Sequence, residues 1–226
     1  MSSVTLIATT VPKIENINTA EDFVAYVARV SNPANQNNTA TSEKLLKYLI
    51  KNKHWSPFEM VTACIEIVTT RDIARQILRH RSFSFQEFSQ RYADPTQSLG
   101  FVTREARLQD HKNRQNSIAI DQSDDRALKT AWMWENLQKN ILEKVTDTYS
   151  WAIENGIAKE QARAILPEGL TESRLYMSGS LRSWIHYIEL RSDIGTQKEH
   201  RDIAVECKNV LSKEFPVIMQ MLDTNG

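Results

Sequence analysis

Val61-Thr62-Ala63-Cys64-Ile65-Glu66-Ile67-Val68-Thr69 alternates side-chain character at every step. Val61, Ala63, Ile65 and Ile67 fall on one face, and Thr62, Cys64, Glu66 and Val68 on the other, which predicts a β-strand. Thr70 is placed to cap a following helix, with Asp72 in its first turn. In that helix Arg71, Arg75 and Arg79 recur every four residues and share a face, while Ile73, Ala74, Ile77 and Leu78 supply the buried side. Next comes Arg79-His80-Arg81-Ser82-Phe83-Ser84-Phe85-Gln86-Glu87-Phe88-Ser89-Gln90-Arg91-Tyr92. Arginine is the side chain best suited to holding phosphate, through a planar fork of donors. A single glutamate among these cations has a polar task, so the stretch reads as a pocket for an anionic nucleotide.

Outward from this strand and pocket, the sequence is dominated by helical patterns. Val4 to Thr9 reads as a short strand, and Thr19 to Val30 as a helix with Phe23, Val27 and Val30 on one stripe. Residues 32–38 form a polar loop. Leu45, Leu46, Leu49 and Ile50 make an apolar helix face after capping candidates Thr41 and Ser42. Pro57 is expected to stop any helix and hold Ser56 extended. Residues 104–125 are polar and read as a surface insertion. A long helix is predicted from about Asp125 to Asn155, with Leu128, Trp132, Leu137, Ile141, Val145, Tyr149 and Ala152 as its core stripe and Gly156 ending it. Further helices are predicted over Ala158–Leu166, Ser180–Leu190 and Thr196–Glu214. Together these predict an α+β fold in a single domain over residues 1–226: a small antiparallel sheet packed by several long helices.

Composition narrows the function. Lysine plus arginine equals aspartate plus glutamate at 28 each, so the basic cluster is local and no bulk attraction to nucleic acid is expected. The two cysteines, Cys64 and Cys207, exclude a disulfide-rich scaffold and fit a reducing, cytoplasmic setting. Neither a signal peptide nor a membrane span is expected. There is no G-x-G-x-x-G, no P-loop, no G-x-S-x-G, no H-x-x-x-H and no C-x-x-C, so no metal site is predicted.

Arg79-His80-Arg81, seven residues and then Ser89 resembles the R-H-R-x7-S signature of the flavin-dependent thymidylate synthases. Arg75-Gln76, Ser84, Glu87 and Arg91-Tyr92 match around it. His54-x-Ser56-Pro57-Phe58-Glu59 is similar to that family's upstream segment, and Ala162-Arg163-x-x-Leu166-Pro167 to its phosphate-binding helix. Residues 180–191 resemble its last site helix. The resemblance rests on these four ordered motifs and runs from about residue 20 to 215, weakening through the insertion.

The resemblance implies the thymidylate synthase-complementing protein fold and the reductive methylation of dUMP to dTMP. Methylenetetrahydrofolate would give the carbon, and NADPH would reduce the FAD that supplies hydride. It implies FAD contacts at Ser56, Arg79, His80, Arg81, Glu87, Ser180, Leu181, Arg182 and His186. It implies dUMP contacts at Gln76, Ile77, Leu78, Arg79, Glu87, Phe88, Ser89, Gln90, Arg91, Arg163 and Arg191, with Arg191 and Ser89 catalytic. It also implies a homotetramer with sites at subunit interfaces. Gln86 stands where that family usually has Asn, Met60 where a second histidine is common, and Ser180 where Asn is expected.

Each of these residues also has a plainer reading. Arg71, Arg75 and Arg79 could be a solvated helix face, Ser89 a loop hydroxyl bonding the backbone, and His80 and His186 satisfied core histidines. Arg163 could pair with Glu160 or Glu168, and Arg182 and Arg191 could be helix-face charges. Cys64 and Cys207 both read as core residues, with no basic neighbour to lower a thiol pKa. Arg182 and His186 are four apart and share a helix face, whereas Arg191 lies roughly 140° further round an ideal helix. Either the helix unwinds before Arg191 or its two faces serve different sites. The rival readings are a nucleic-acid-binding module built on the Arg71–Arg91 cluster and an oligomeric scaffold built on the 125–155 helix.

Overall fold

In a computed structural model of the chain, which describes residues 2–222, the alternating stretch is strand β2 (Thr62–Thr70) at the centre of the fold. Met1 and residues 223–226 of the predicted single-domain span lie outside the described residues. β2 pairs on one side with β1 (Ser3–Thr9) and on the other with β6 (Glu172–Ser180); β3 (Phe83–Glu87) closes the far edge. The sheet order is β1-β2-β6-β3 and every pairing is antiparallel.

Register follows from side-chain alternation. Ala63, Ile65 and Ile67 stand opposite Gly179, Met177 and Leu175, and Phe83, Phe85 and Glu87 stand opposite the same three β6 residues. This face carries the core: Ala63, Ile65, Ile67, Leu175, Met177 and Phe83 are all buried. The other face bears Thr62, Cys64, Glu66, Tyr176, Arg174 and Gln86, and none of these is buried. One wet face is usual for an antiparallel sheet. Cys64 therefore lies half-buried on the open face and is not the core residue expected; Cys207 is fully buried.

Helices α1 (Ala20–Ala28), α2 (Ser42–Lys51), α3 (Arg71–Ile77), α4 (Pro95–Ser98), α5 (Asp125–Glu154), α6 (Lys159–Ala162), α7 (Leu181–Arg191), α8 (Lys198–Leu211) and α9 (Pro216–Met221) complete the described residues, with a hairpin of β4 (Arg107–Gln109) and β5 (Ser117–Ala119). α3, α7 and α8 lie against the apolar face of the sheet. Thr19 caps α1 by accepting the Asp22 N–H. The stripe expected on α1 is rotated: Val24 and Ala25 are buried and Val30 is exposed. Ser56 is not extended. It opens a 3-10 turn over Ser56–Met60, because proline is well tolerated in a first turn, where its missing N–H needs no partner. The helix predicted over 158–166 divides into α6 and a 3-10 turn at Arg163–Ile165.

α5 departs most from expectation. Its start is capped by Asp124, whose carboxylate accepts the N–H groups of Arg126 and Ala127. At 30 residues it is about 45 Å long. Tyr149 and Ala152 pack against Ala162 and Leu166, with Val145 and Phe101 alongside. Further up the stripe Trp132 is 61% exposed, Leu137 50% and Ile141 52%. The period was read correctly, but among the described residues those side chains stay half-exposed or more.

Glu21 ties the ends of the fold together. It is buried in α1, and its Oε1 accepts the Ile218 N–H at the start of α9. Burial pushes its carboxyl from 4.5 up to about 7, against the pull of the Ile218 and Val217 N–H groups, with Asp22 and Glu43 adding to the rise. The folded chain thus keeps this proton to about pH 7, while the unfolded chain loses it near 4.5, so this contribution to stability falls as pH rises across that window. Glu21→Gln keeps an acceptor and cannot ionise. It should be more stable than wild type at pH 8 by about 1–3 kcal/mol, with the difference closing by pH 4.5. Urea denaturation at the two pH values checks this, and equal midpoints at pH 8 would count against it.

Candidate active site

The alternation that buries Phe83 and packs the half-buried Phe85 against the core carries Glu87 onto the same sheet face, at the point where the core runs out. There Ser173 Oγ donates to Glu87 Oε1 at 2.8 Å, and the Arg71 and Arg75 guanidinium groups stand 3.7 and 3.9 Å from its oxygens. Arg71 is 7% exposed, and burial lowers its pKa while Glu87 opposes that shift. Arg71 and Arg75 also reach Glu168, at 4.0 and 3.6 Å. Arg71 and Arg75 are thus a buried anchor and its half-exposed neighbour, not a solvated face. Ser173 was missed because its strand carries too mixed a pattern to stand out in the sequence.

The loop after β3 continues the cluster. The Phe88 N–H donates to the Arg174 carbonyl at 2.8 Å, which fixes where the loop leaves the sheet. Ser89 Oγ accepts the Arg91 backbone N–H at 3.4 Å, and among the described residues no histidine or carboxylate hydrogen-bonds to it. Gln90 is buried, and its Nε2 is a donor without a partner. Arg91 pairs with Glu160 at 3.9 Å, and Arg163 Nε donates to the Glu160 carbonyl at 3.3 Å. α6 therefore holds Arg91 and Arg163 near one another.

A second group gathers at the start of α7. Ser180 caps this helix by accepting the Ser183 N–H at 3.3 Å, a role its short hydroxyl performs where the resembling family has Asn. Arg182 Nη1 donates to Glu59 Oε1 at 2.8 Å, and bonds from Ser180 and Arg182 hold the Glu59 carboxyl below its usual range. His186 meets the Trp55 ring edge-on at 4.7 Å. Ser56 starts the 3-10 turn that carries Glu59. Arg79 and Arg81 are exposed, and among the described residues neither has an ion-pair partner. Met60 and Gln86 are exposed as well. Ile77 and Leu181 are fully buried core residues, and the Leu181 N–H donates to the Val61 carbonyl. Leu78 is the C-cap residue of α3.

Arg191 ends α7. α7 runs unbroken to Arg191, so the helix does not unwind and its faces point to different partners. Arg182 and His186 reach Glu59 and Trp55, whereas Arg191 Nε donates to His80 Nε2 at 2.9 Å. An acceptor at Nε2 leaves the His80 proton on Nδ1. Burial, with Arg191 and Arg79 beside it, drives the His80 pKa down to about 4, so the ring is neutral at pH 7. Because Nε is occupied, the paired Nη groups of Arg191 remain available as a fork.

The fold and these clusters define an α+β protein with an arginine-rich cluster beside its sheet. The family model for thymidylate synthase complementing protein matches residues 13–217, and the chain belongs to that family. It is 51% identical, over 98% of this chain and 99% of the relative, to a probable flavin-dependent thymidylate synthase of Paramecium bursaria Chlorella virus 1. It is 50% identical, over 90% of this chain and 89% of the relative, to the flavin-dependent thymidylate synthase of Synechocystis sp.. A solved UMP/dUMP methylase, PolB of Streptomyces cacaoi, has the same fold, with TM-score 0.81, 22% identity and coverage of 99% of this chain and 94% of that one.

If Arg191 holds His80 neutral, Arg191→Ala should raise the pH at which His80 titrates, from about 4 toward 6.5. Imidazole NMR shifts followed from pH 3 to 8 measure this. An unmoved midpoint would show that burial alone sets the value.

Proposed function

We propose that the chain makes dTMP by reductive methylation of dUMP, with methylenetetrahydrofolate as carbon donor and NADPH-reduced FAD as hydride donor. The whole chain would act as one domain in a reducing, cytoplasmic compartment. The observation that supports this reading is Arg191, whose Nε is held by a neutral His80 so that its fork stays available. The names of the two half-identical relatives support it.

The residues suit both ligands. Among the described residues Arg79 and Arg81 have no carboxylate to neutralise them, which fits a dinucleotide's phosphates, and Arg182 and His186, which share one face of α7, would contact the same ligand. Gln90 Nε2 is an unpartnered buried donor beside Ser89 and Arg91, which fits dUMP. When bound, FAD supplies the hydride chemistry, and the protein supplies placement and charge.

Uracil C5 is a poor nucleophile until negative charge can build on the ring. The free fork of Arg191 can stabilise that charge as it develops, and arginine stays protonated throughout. A thiolate route is disfavoured. Cys207 is fully buried and its thiol pKa is pushed far up; that of Cys64 is also raised by burial. Ser89, bonded to backbone and lacking a base, serves as a donor to the pyrimidine rather than a nucleophile.

We also read the exposed stripe of Trp132, Leu137 and Ile141 as an interface between copies, in line with a homotetramer whose sites form between subunits. The two faces of α7 fit that arrangement.

Arg191→Ala should bind FAD and oxidise NADPH as wild type does, yet form dTMP about 10²-fold more slowly or worse. Arg191→Lys should rescue poorly, since an ammonium lacks the planar fork. Single-turnover dTMP formation beside NADPH oxidation makes the comparison, and near-wild-type dTMP formation by Arg191→Ala would refute the assignment. A purified protein that takes up no flavin, by absorbance, would end the whole reading.

Cys64→Ala and Cys207→Ala should each retain dTMP synthesis, with Cys207→Ala losing about 1 kcal/mol of stability through packing. Complete loss of synthesis in a folded variant would restore a thiolate mechanism.

A further inference from the structure

His200 belongs to neither ligand cluster. It sits on the buried stripe of α8 with Ile203, Ala204, Cys207 and Leu211, and its exposure is zero. A polar ring on a dry stripe needs partners at both nitrogens. Its Nδ1 lies 3.3 Å from Gln76 Oε1, and its Nε2 lies 3.1 Å from Tyr187 Oη. An amide oxygen only accepts, so Nδ1 carries the proton; Nε2 must then accept the Tyr187 O–H. Burial and the neighbouring Arg191 and His80 hold His200 neutral, with its pKa down at about 3, and burial raises that of Tyr187 well above 10. Every donor direction in this chain is therefore set.

The chain continues beyond Gln76. Gln76 Nε2 donates to Gln197 Oε1 at 2.8 Å, and Gln197 Nε2 donates to Glu199 Oε2 at 2.9 Å. Glu199 is held in turn by Arg107 and Arg104. The carbonyl of Gln76 is thus used inward, and the second hydrogen of its amide nitrogen is left over.

We propose that His200 is a positioning residue, which with Tyr187 locks the Gln76 amide so that it meets the nucleotide only as a hydrogen-bond donor. This rests on the reading that Gln76 contacts dUMP. An unlocked amide could turn its oxygen outward and repel the oxygens of a pyrimidine nucleotide.

The test is a double-mutant cycle with dUMP. His200→Phe should keep wild-type flavin content and dUMP-independent NADPH oxidation, keep kcat within about twofold, and raise the dUMP KM about tenfold. His200→Asn, which can still donate to Gln76, should recover most of that loss. In a Gln76→Ala background, His200→Phe should change the dUMP KM by less than about twofold, because the group it positions is gone. An unchanged KM for His200→Phe, or an equal rise in both backgrounds, would overturn the proposal. Where His200→Phe does not fold, Tyr187→Phe takes its place in the same cycle, with the same direction expected. A wild-type protein that binds no dUMP would sink the functional reading itself. A wild-type protein that binds dUMP, with variants that behave alike, would sink only this inference.

Discussion

The site depends on a two-residue period that runs out of core. Phe83, Phe85 and Glu87 must share one sheet face, and only the first two meet an apolar environment. A carboxylate delivered there cannot stay charged without donors. Ser173 and the arginines of α3 supply them, and they can do so because β6 and α3 converge at the same end of the sheet. The anchoring of Glu87 in turn fixes where the chain leaves β3, and hence where Ser89, Gln90 and Arg91 stand. Arg71 differs from Arg79 and Arg81 for the same reason: it is paired with Glu87, whereas among the described residues the other two have no ion-pair partner.

A second clamp holds the helices around this rim. Arg104 Nη2 donates to Thr70 Oγ1 at 2.8 Å, to Asp72 at 3.0 Å and to the Gly169 carbonyl at 3.1 Å. Its backbone N–H donates to Gln138 Oε1 at 2.8 Å, and its carbonyl accepts from Trp134 Nε1 and Gln138 Nε2. One residue therefore binds the start of α3, the turn before β6 and the middle of α5. Gln138 is 1% exposed and can be so only because this backbone satisfies it. Arg104 opens the stretch that reads in sequence as a surface insertion. Polar composition signalled exposure, but here the polar groups bond one another in the interior. β4 and β5 then form a hairpin on that base.

What the sequence made legible follows the same division. β2, the start of α3 after Thr70 and the span of α5 could be read, since period and helix starts are local properties, although the Thr70 hydroxyl donates to Asp72 and makes no capping bond. β3 and β6 were not read as strands: Phe83–Glu87 was dominated by its motif, and Glu172–Ser180 mixes Arg174 and Tyr176 with Leu175 and Met177. The outer residues of α5 were assigned to the core because period shows only that a face is apolar, not what covers it. Cys64 went the same way, since alternation separates two faces without naming the wet one. For His200 the signal was present, a lone histidine in register with Ile203 and Cys207, but its partners lie 13 and 124 residues away. No local pattern could supply them.

The neutral histidines explain how so much positive charge stays useful. His80 and His200 lie in a region that also contains Arg191, with the two ring centroids 6.1 Å apart. A protonated ring there would sit dry beside a guanidinium, and both its nitrogens would become donors, so Arg191 would lose its acceptor. Keeping the rings neutral turns them into oriented dipoles that hold Arg191 and Gln76 without cancelling or duplicating their charge. Glu87 and Glu199, in contrast, draw Arg71, Arg75, Arg104 and Arg107 into fixed pairs. These four arginines are neutralised and build the frame, whereas Arg191 is positioned by a neutral ring and keeps its charge.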